Sequence, residues 1–153
     1  MRLILAFLAA ILAPASIMVA WYLYGQFEVF DAADPYIWIR TGGFLALCLA
    51  ISAAYVVVLG IPAYALLRWR NAVRWWSTVA TGFALGALPA AILFWPLRYS
   101  ELKASSSSDG VQTMVDGTPT LAGWMQYVGG LSFFGACGAV GALSFWLVMR
   151  KRL

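Results

Sequence analysis

The chain has 153 residues, of which 63% are hydrophobic, 16% aromatic and only 10% charged, with ten Lys and Arg, six Asp and Glu, no His and a net charge of +4. A soluble domain carries about a quarter of its residues as charges, so this composition points to a membrane protein. The lack of histidine excludes a His-dependent enzyme, a His-ligated haem and a His-based pH switch.

Crossing the ~30 Å hydrocarbon core takes about 20 apolar residues. Four runs free of Asp, Glu, Lys and Arg meet that length: Leu3 to Tyr24, Thr41 to Leu67, Trp75 to Leu97 and Leu121 to Met149. They predict an all-α, polytopic membrane protein, a four-transmembrane-helix bundle forming a single integral membrane domain over 1–153. The expected helices are 3–24, 37–67, 75–97 and 121–149, joined by extracytoplasmic loops 25–36 and 98–120 and a cytoplasmic loop 68–74.

In the first run, Arg2, an apolar core and Ala13-Pro14-Ala15 imitate a cleaved signal peptide. Apolar residues continue through Ile17, Met18, Val19, Ala20 and Trp21, giving a full bilayer width, so the run reads as a retained helix. Ahead of the second run, Asp34 suits an N-cap and Pro35 the first helical position. A helix from Pro35 to Leu67 would be about 50 Å long and must tilt, protrude or break near Gly60 and Pro62. Gly42, Ala46, Ala50 and Ala54 lie four apart along it. The third run repeats the pattern with Thr78, Gly82, Gly86 and Ala90, and Pro14, Pro89 and Pro96 mark kinks.

The loop after the third run contains Ser105 to Ser108 and the turn pairs Asp109-Gly110 and Asp116-Gly117. Val111, Thr113 and Val115 alternate with polar neighbours, which predicts either a small hairpin or a flexible loop. The fourth run offers Gly135 with Ala139, Cys137 with Gly141, and Gly138 for close packing. These small residues favour packing within one bundle, with self-association as the rival.

Seven of the ten basic residues fall on one face, as Arg2, as Arg68, Arg70 and Arg74, and as Arg150, Lys151 and Arg152. The other face holds Arg40, Arg98 and Lys103 with all six acids, Glu28, Asp31, Asp34, Glu101, Asp109 and Asp116. Short cytoplasmic segments carry the excess of Lys and Arg, so both termini are predicted to be cytoplasmic and the basic group to anchor topology and lipid. Tryptophan agrees: Trp21, Trp38, Trp95 and Trp124 fall at the proposed outer ends, and Trp69, Trp75, Trp76 and Trp146 at the inner ones.

Arg40 and Arg98 break the charge rule. They either snorkel to headgroups or pair with Glu28, Asp31, Asp34 or Glu101 into a polar cluster that a partner reads. Cys48 and Cys137 read as small core residues, and no metal or cofactor site is expected. No ionisable residue lies within the apolar runs, which counts against active transport. No nucleophile and base pair stands out, so no enzyme activity is expected, and three loop arginines are too few to bind nucleic acid.

The architecture resembles small four-helix inner-membrane proteins of bacteria, some of which are accessory subunits and some of which protect against membrane-active toxins. The likeness is architectural and carries over no functional residue. It implies a multi-pass protein of the bacterial inner membrane. The leading expectation is a non-enzymatic protein-binding role, as an accessory subunit or an immunity protein, toward a membrane or periplasmic partner. The alternative is a homo-oligomeric passive pore, with Gly82 and Gly86 as its contact.

Overall fold

The computed structural model describes residues 2–30, 34–70, 73–98, 105–108 and 110–150. These residues form α1 (Arg2–Val29), α2 (Pro35–Tyr55), α3 (Ile61–Trp69), α4 (Trp75–Leu93), β1 (Ser106–Ser108), β2 (Val111–Val115), β3 (Thr118–Pro119) and α5 (Leu121–Met149). A π-helical segment, Val56–Gly60, joins α2 to α3, so Pro35–Trp69 is one helical run of 35 residues. Among the described residues, four runs are long and apolar enough to cross a membrane: Arg2–Val29, Pro35–Trp69, Trp75–Arg98 and Leu121–Met149. The chain is mostly helical, and the loop expected at 98–120 adds a three-stranded antiparallel sheet in the order β1-β2-β3.

Proline explains where the helices depart from regularity. Asp34 caps α2, its Oδ1 accepting from the Tyr36 N–H at 2.9 Å, and Pro35 follows where a missing N–H costs nothing. Pro62 cannot donate to the carbonyl four residues back, and its ring crowds that carbonyl. The helix widens just before it, with the Ile61 N–H bonded to the Val56 carbonyl, one residue further back than in an α-helix. The expected break near Gly60 and Pro62 is therefore a π-segment that keeps the run continuous. Pro96 ends α4 at Leu93, short of the expected 97, because the residue before a proline avoids the α conformation. Residues 96–98 then make a short 3₁₀ turn.

The chain divides into two compact units, Met1–Gly82 with Ala139–Leu153, and Phe83–Gly138. In the first, α1 runs antiparallel to α2, with Tyr22 stacked on Phe44 at 4.3 Å and Phe27 meeting Trp38 at 6.4 Å between centroids. Further along, Phe7, Tyr64 of α3 and Phe145 of α5 form a ring cluster, with Phe7–Phe145 at 5.0 Å and Tyr64–Phe145 at 5.1 Å. The start of α1, the end of α3 and the end of α5 thus share one end of this unit. Pro14 leaves the Ala10 carbonyl without its helical donor. There α5 comes close through Gly141, where a Cβ would stand 2.9 Å from the Ala10 oxygen.

In the second unit α4 and α5 are antiparallel and closer still. A Cβ at Gly86 would overlap the Phe134 carbonyl oxygen and stand 3.3 Å from the Gly138 Cα. Gly135 lies against the Phe83 ring, and the Tyr127 hydroxyl donates to the Ala91 carbonyl at 3.0 Å.

Both units bury small residues and expose many large ones, with Ile37 and Phe145 of the first unit as buried exceptions. Ala6, Ala10, Ala15 and Ala90 are buried, while Trp21 is 76%, Ile92 69% and Met125 69% exposed. Helices that pack in this way approach through Gly and Ala and turn their long apolar side chains outward.

Gly86→Ala should lower thermal stability in detergent by about 1–3 kcal/mol, because the added methyl meets backbone that cannot rotate away. Gly42→Ala, whose Cβ would meet nothing within 4 Å, should be neutral or stabilise by up to ~1 kcal/mol through helix propensity. Circular-dichroism melts of the two variants compare the costs directly.

Candidate binding site: a sheet-capped aromatic cavity

The sheet owes its turns to Asp116-Gly117 and to Gly110. Asp116 and Gly117 both have positive φ, 48° and 79°, as a two-residue hairpin turn between β2 and β3 requires. Gly110, with φ of 78°, serves the β1–β2 connection. Ser106 pairs with Met114 and Ser107 with Gln112, so Thr113 is the extra residue of a β-bulge. Its hydroxyl lies 3.0 Å from that of Ser106.

The β2–β3 hairpin fastens the sheet to α5. The Thr113 carbonyl accepts from the Thr120 N–H at 3.1 Å, and the Thr120 hydroxyl donates to the Gln112 carbonyl at 2.7 Å. That same hydroxyl accepts from the Gly123 N–H at 3.2 Å, capping the first turn of α5. A Cβ at Gly123 would overlap the Thr113 carbonyl oxygen, so the sheet sits directly on helix backbone.

Under the sheet lies a cavity of about 410 Å³ between the end of α4 and the first half of α5. Phe94, Trp95, Met114, Tyr127, Leu131 and Phe134 give it an apolar, largely aromatic wall. Trp95, Trp124 and Tyr127 hold one another edge to face, with centroids 5.9–6.0 Å apart. Phe94 and Phe134 lie nearly parallel at 6.4 Å. The cavity is a groove more open than enclosed.

The charged residues singled out in the sequence fall in both units. Asp34 is engaged as the α2 cap, and Glu28 is exposed on the last turn of α1. The Arg40 guanidinium stands 5.0 Å over the Phe30 ring, a cation–π contact, and no ion pair joins it to a carboxylate among the described residues. Arg98 is exposed and belongs to the second unit, whereas Glu28, Asp34 and Arg40 belong to the first. Asp31 and Glu101 lie outside the described residues.

At the basic end, Arg68, Arg70, Arg74 and Arg150 are all exposed, beside Trp69 at 79% exposure. Lys151 and Arg152 lie outside the described residues. Of the small residues, Gly86, Gly135, Gly138 and Gly141 stand at helix contacts, and Gly82 is half-buried on α4.

Sequence reasoning missed β1, since a serine run has little strand propensity of its own and is recruited by its pairing with β2. It also missed Gln126 and Gly130, which line the cavity from α5. The adjacent pair Gly129-Gly130 in an otherwise unbroken helix was the available signal. Gln26 Oε1 and Thr41 Oγ1 are a further pair of buried atoms without hydrogen-bond partners in the first unit.

No protein-family model, no curated protein and no solved structure matches the chain.

Gly123→Ala should lift the sheet from α5 and raise the rate of proteolysis within 105–119 roughly tenfold, as cleavage follows the open population. Gly129→Ala meets nothing within 4 Å and should leave that rate unchanged.

Proposed function

We propose that the chain is a multi-pass protein of a bacterial inner membrane, with both termini cytoplasmic, and that it binds another membrane or periplasmic protein without catalysing a reaction. The membrane placement is supported by the outward-facing Trp, Ile, Leu and Phe side chains on four runs of spanning length, which water would not tolerate over so large an area. The orientation is supported by the Phe7, Tyr64 and Phe145 cluster, which draws the helix ends bearing Arg2, Arg68 and Arg150 to one end.

The observation that carries the binding role is the sheet. Among the described residues it is the largest structured element outside the apolar runs, its turns are set by the positive-φ residues Asp116, Gly117 and Gly110, its seat on α5 is fixed by named hydrogen bonds, and all of β1 is exposed. β1 is the first strand of the order β1-β2-β3, so its outer edge has no strand partner among the described residues. Such an edge can accept a strand from a partner by main-chain hydrogen bonding. Service as an accessory subunit and immunity against a membrane-active toxin both use a surface of this kind.

A second reading, a homo-oligomeric passive pore, draws on α2. Gly42, Ala46, Ala50 and Ala54 are all exposed there, at the spacing through which helices associate. Gly86, the other contact considered for self-association, is taken up against α5.

Affinity purification of the full chain from native membranes, with complex mass determined, separates the readings. A stoichiometric foreign protein, lost on deletion of Ser105 to Val115 while the chain still inserts, is the expected result. A homo-oligomer that carries solute across liposomes would replace the binding role with the pore.

A further inference from the structure

The cavity under the sheet has a shape and a polarity that the protein-binding role does not use. Its α5 wall runs from Gly123 to Phe134, about 16 Å at 1.5 Å per residue, so it is elongated along the helix axis. The far part is Phe94, Leu131 and Phe134, with no polar side chain among them. Polar atoms gather at the sheet end, and most are already engaged. The Ser106 and Thr113 hydroxyls bond each other, and the Tyr127 hydroxyl is committed to Ala91. The Gln126 carboxamide is the exception, exposed and bonded to no other described residue. Arg98, also exposed, follows the cavity-lining Pro96 by two residues.

An occupant must therefore be long, apolar along most of its length and polar at the end near the sheet. Its axis must lie parallel to α4 and α5. If these helices cross a membrane, as proposed above, the species that meets all three conditions and surrounds the protein at high concentration is a lipid. Aromatic rings at the headgroup level suit both parts of such a molecule.

We propose that the cavity holds one acyl chain of a membrane phospholipid, with the tail toward Phe134 and the headgroup beside Gln126. The backbone leaves room for it at Gly130, which lines the cavity and where a Cβ would meet nothing within 4 Å. A side chain built there enters the cavity, not a packed wall. Gly129 next to it is equally unobstructed but does not line the cavity, and so provides a matched control.

The test reconstitutes the full chain in phosphatidylcholine vesicles doped with phosphatidylcholine bearing a diazirine on its acyl chain, and maps the cross-links by peptide mass spectrometry after illumination. Labelling of 90–96 and 123–134 should exceed, several-fold, that of the exposed α2 face around Ile51. Gly130→Leu should bring it down to that of the α2 face, and Gly129→Leu should leave it high. Even labelling of all four helical runs in the unmodified chain overturns the proposal and leaves the cavity to an apolar side chain of a partner protein. Unchanged labelling in Gly130→Leu overturns it as well. Extraction of the vesicles with alkaline carbonate reads the membrane placement separately. Release of the chain would defeat that placement and this proposal together, whereas retention with even labelling defeats only the lipid.

Discussion

Close approach of helix backbones is the constraint on which the rest of this structure depends. In water, helices are driven together by large apolar side chains that escape solvent. Here most of those side chains point outward, Ile37 and Phe145 excepted, and the buried positions of α1 are Ala6, Ala10 and Ala15. Contact energy must then come from dispersion between atoms brought to short range, which only Gly and Ala permit. Gly86 against the Phe134 carbonyl and Gly141 against the Ala10 carbonyl are helix contacts in which backbone meets backbone. The second depends on Pro14 as well, since the proline strips the Ala10 carbonyl of its helical donor just where α5 arrives.

The sheet follows the same rule of close backbone contact by a different route. In the β2–β3 register the Thr113 carbonyl is the next acceptor beyond the Met114–Pro119 pair, and its partner is the Thr120 N–H. Thr120 is also the residue that caps α5, so this ladder bond ties the hairpin to the N-terminus of the helix, where N–H groups need acceptors. Thr120 then bonds to Gln112 and caps the helix with one hydroxyl, and Gly123 lets the two backbones touch. Removing any one of the three residues disturbs both the sheet and the first turn of α5, because they share these bonds. The cavity exists because the sheet is held at this height above the α4 and α5 wall.

What could be read from the sequence follows from how local each determinant is. The four apolar runs, the cap at Asp34, the irregularity before Pro62 and the turn at Asp116-Gly117 are properties of a few consecutive residues, and each is legible. The ends of the helices were less so. α1 continues to Val29 past the expected Tyr24 because nothing in Gly25-Gln26-Phe27 stops it, whereas α4 stops early because Pro96 does. β1 was invisible, as three serines become a strand only when β2 supplies the partner. The cavity was invisible for a related reason: Phe94, Met114 and Phe134 come together only through the contact of α4, β2 and α5, and no spacing within one segment records it. Arg40 was legible as an exception, but its partner, the Phe30 ring, carries no charge and gave no sign of itself.

The arginines of the first unit and the sheet of the second also differ in how well each is prepared to recognise something. Arg68, Arg70, Arg74 and Arg150 are exposed at helix ends, and long flexible side chains of this kind lose much rotamer entropy when a partner fixes them. They suit a diffuse field, such as a layer of anionic headgroups, in which no single geometry is needed. At the sheet the polar groups are backbone, their directions set by β-pairing, by the bulge and by Thr120 before any partner arrives. Ordering costs there are met in folding, so a partner binding to the β1 edge would retain more of its contact energy as affinity. For the proposed binding role, the sheet is thus the better prepared surface for specific recognition and the arginines for non-specific attraction.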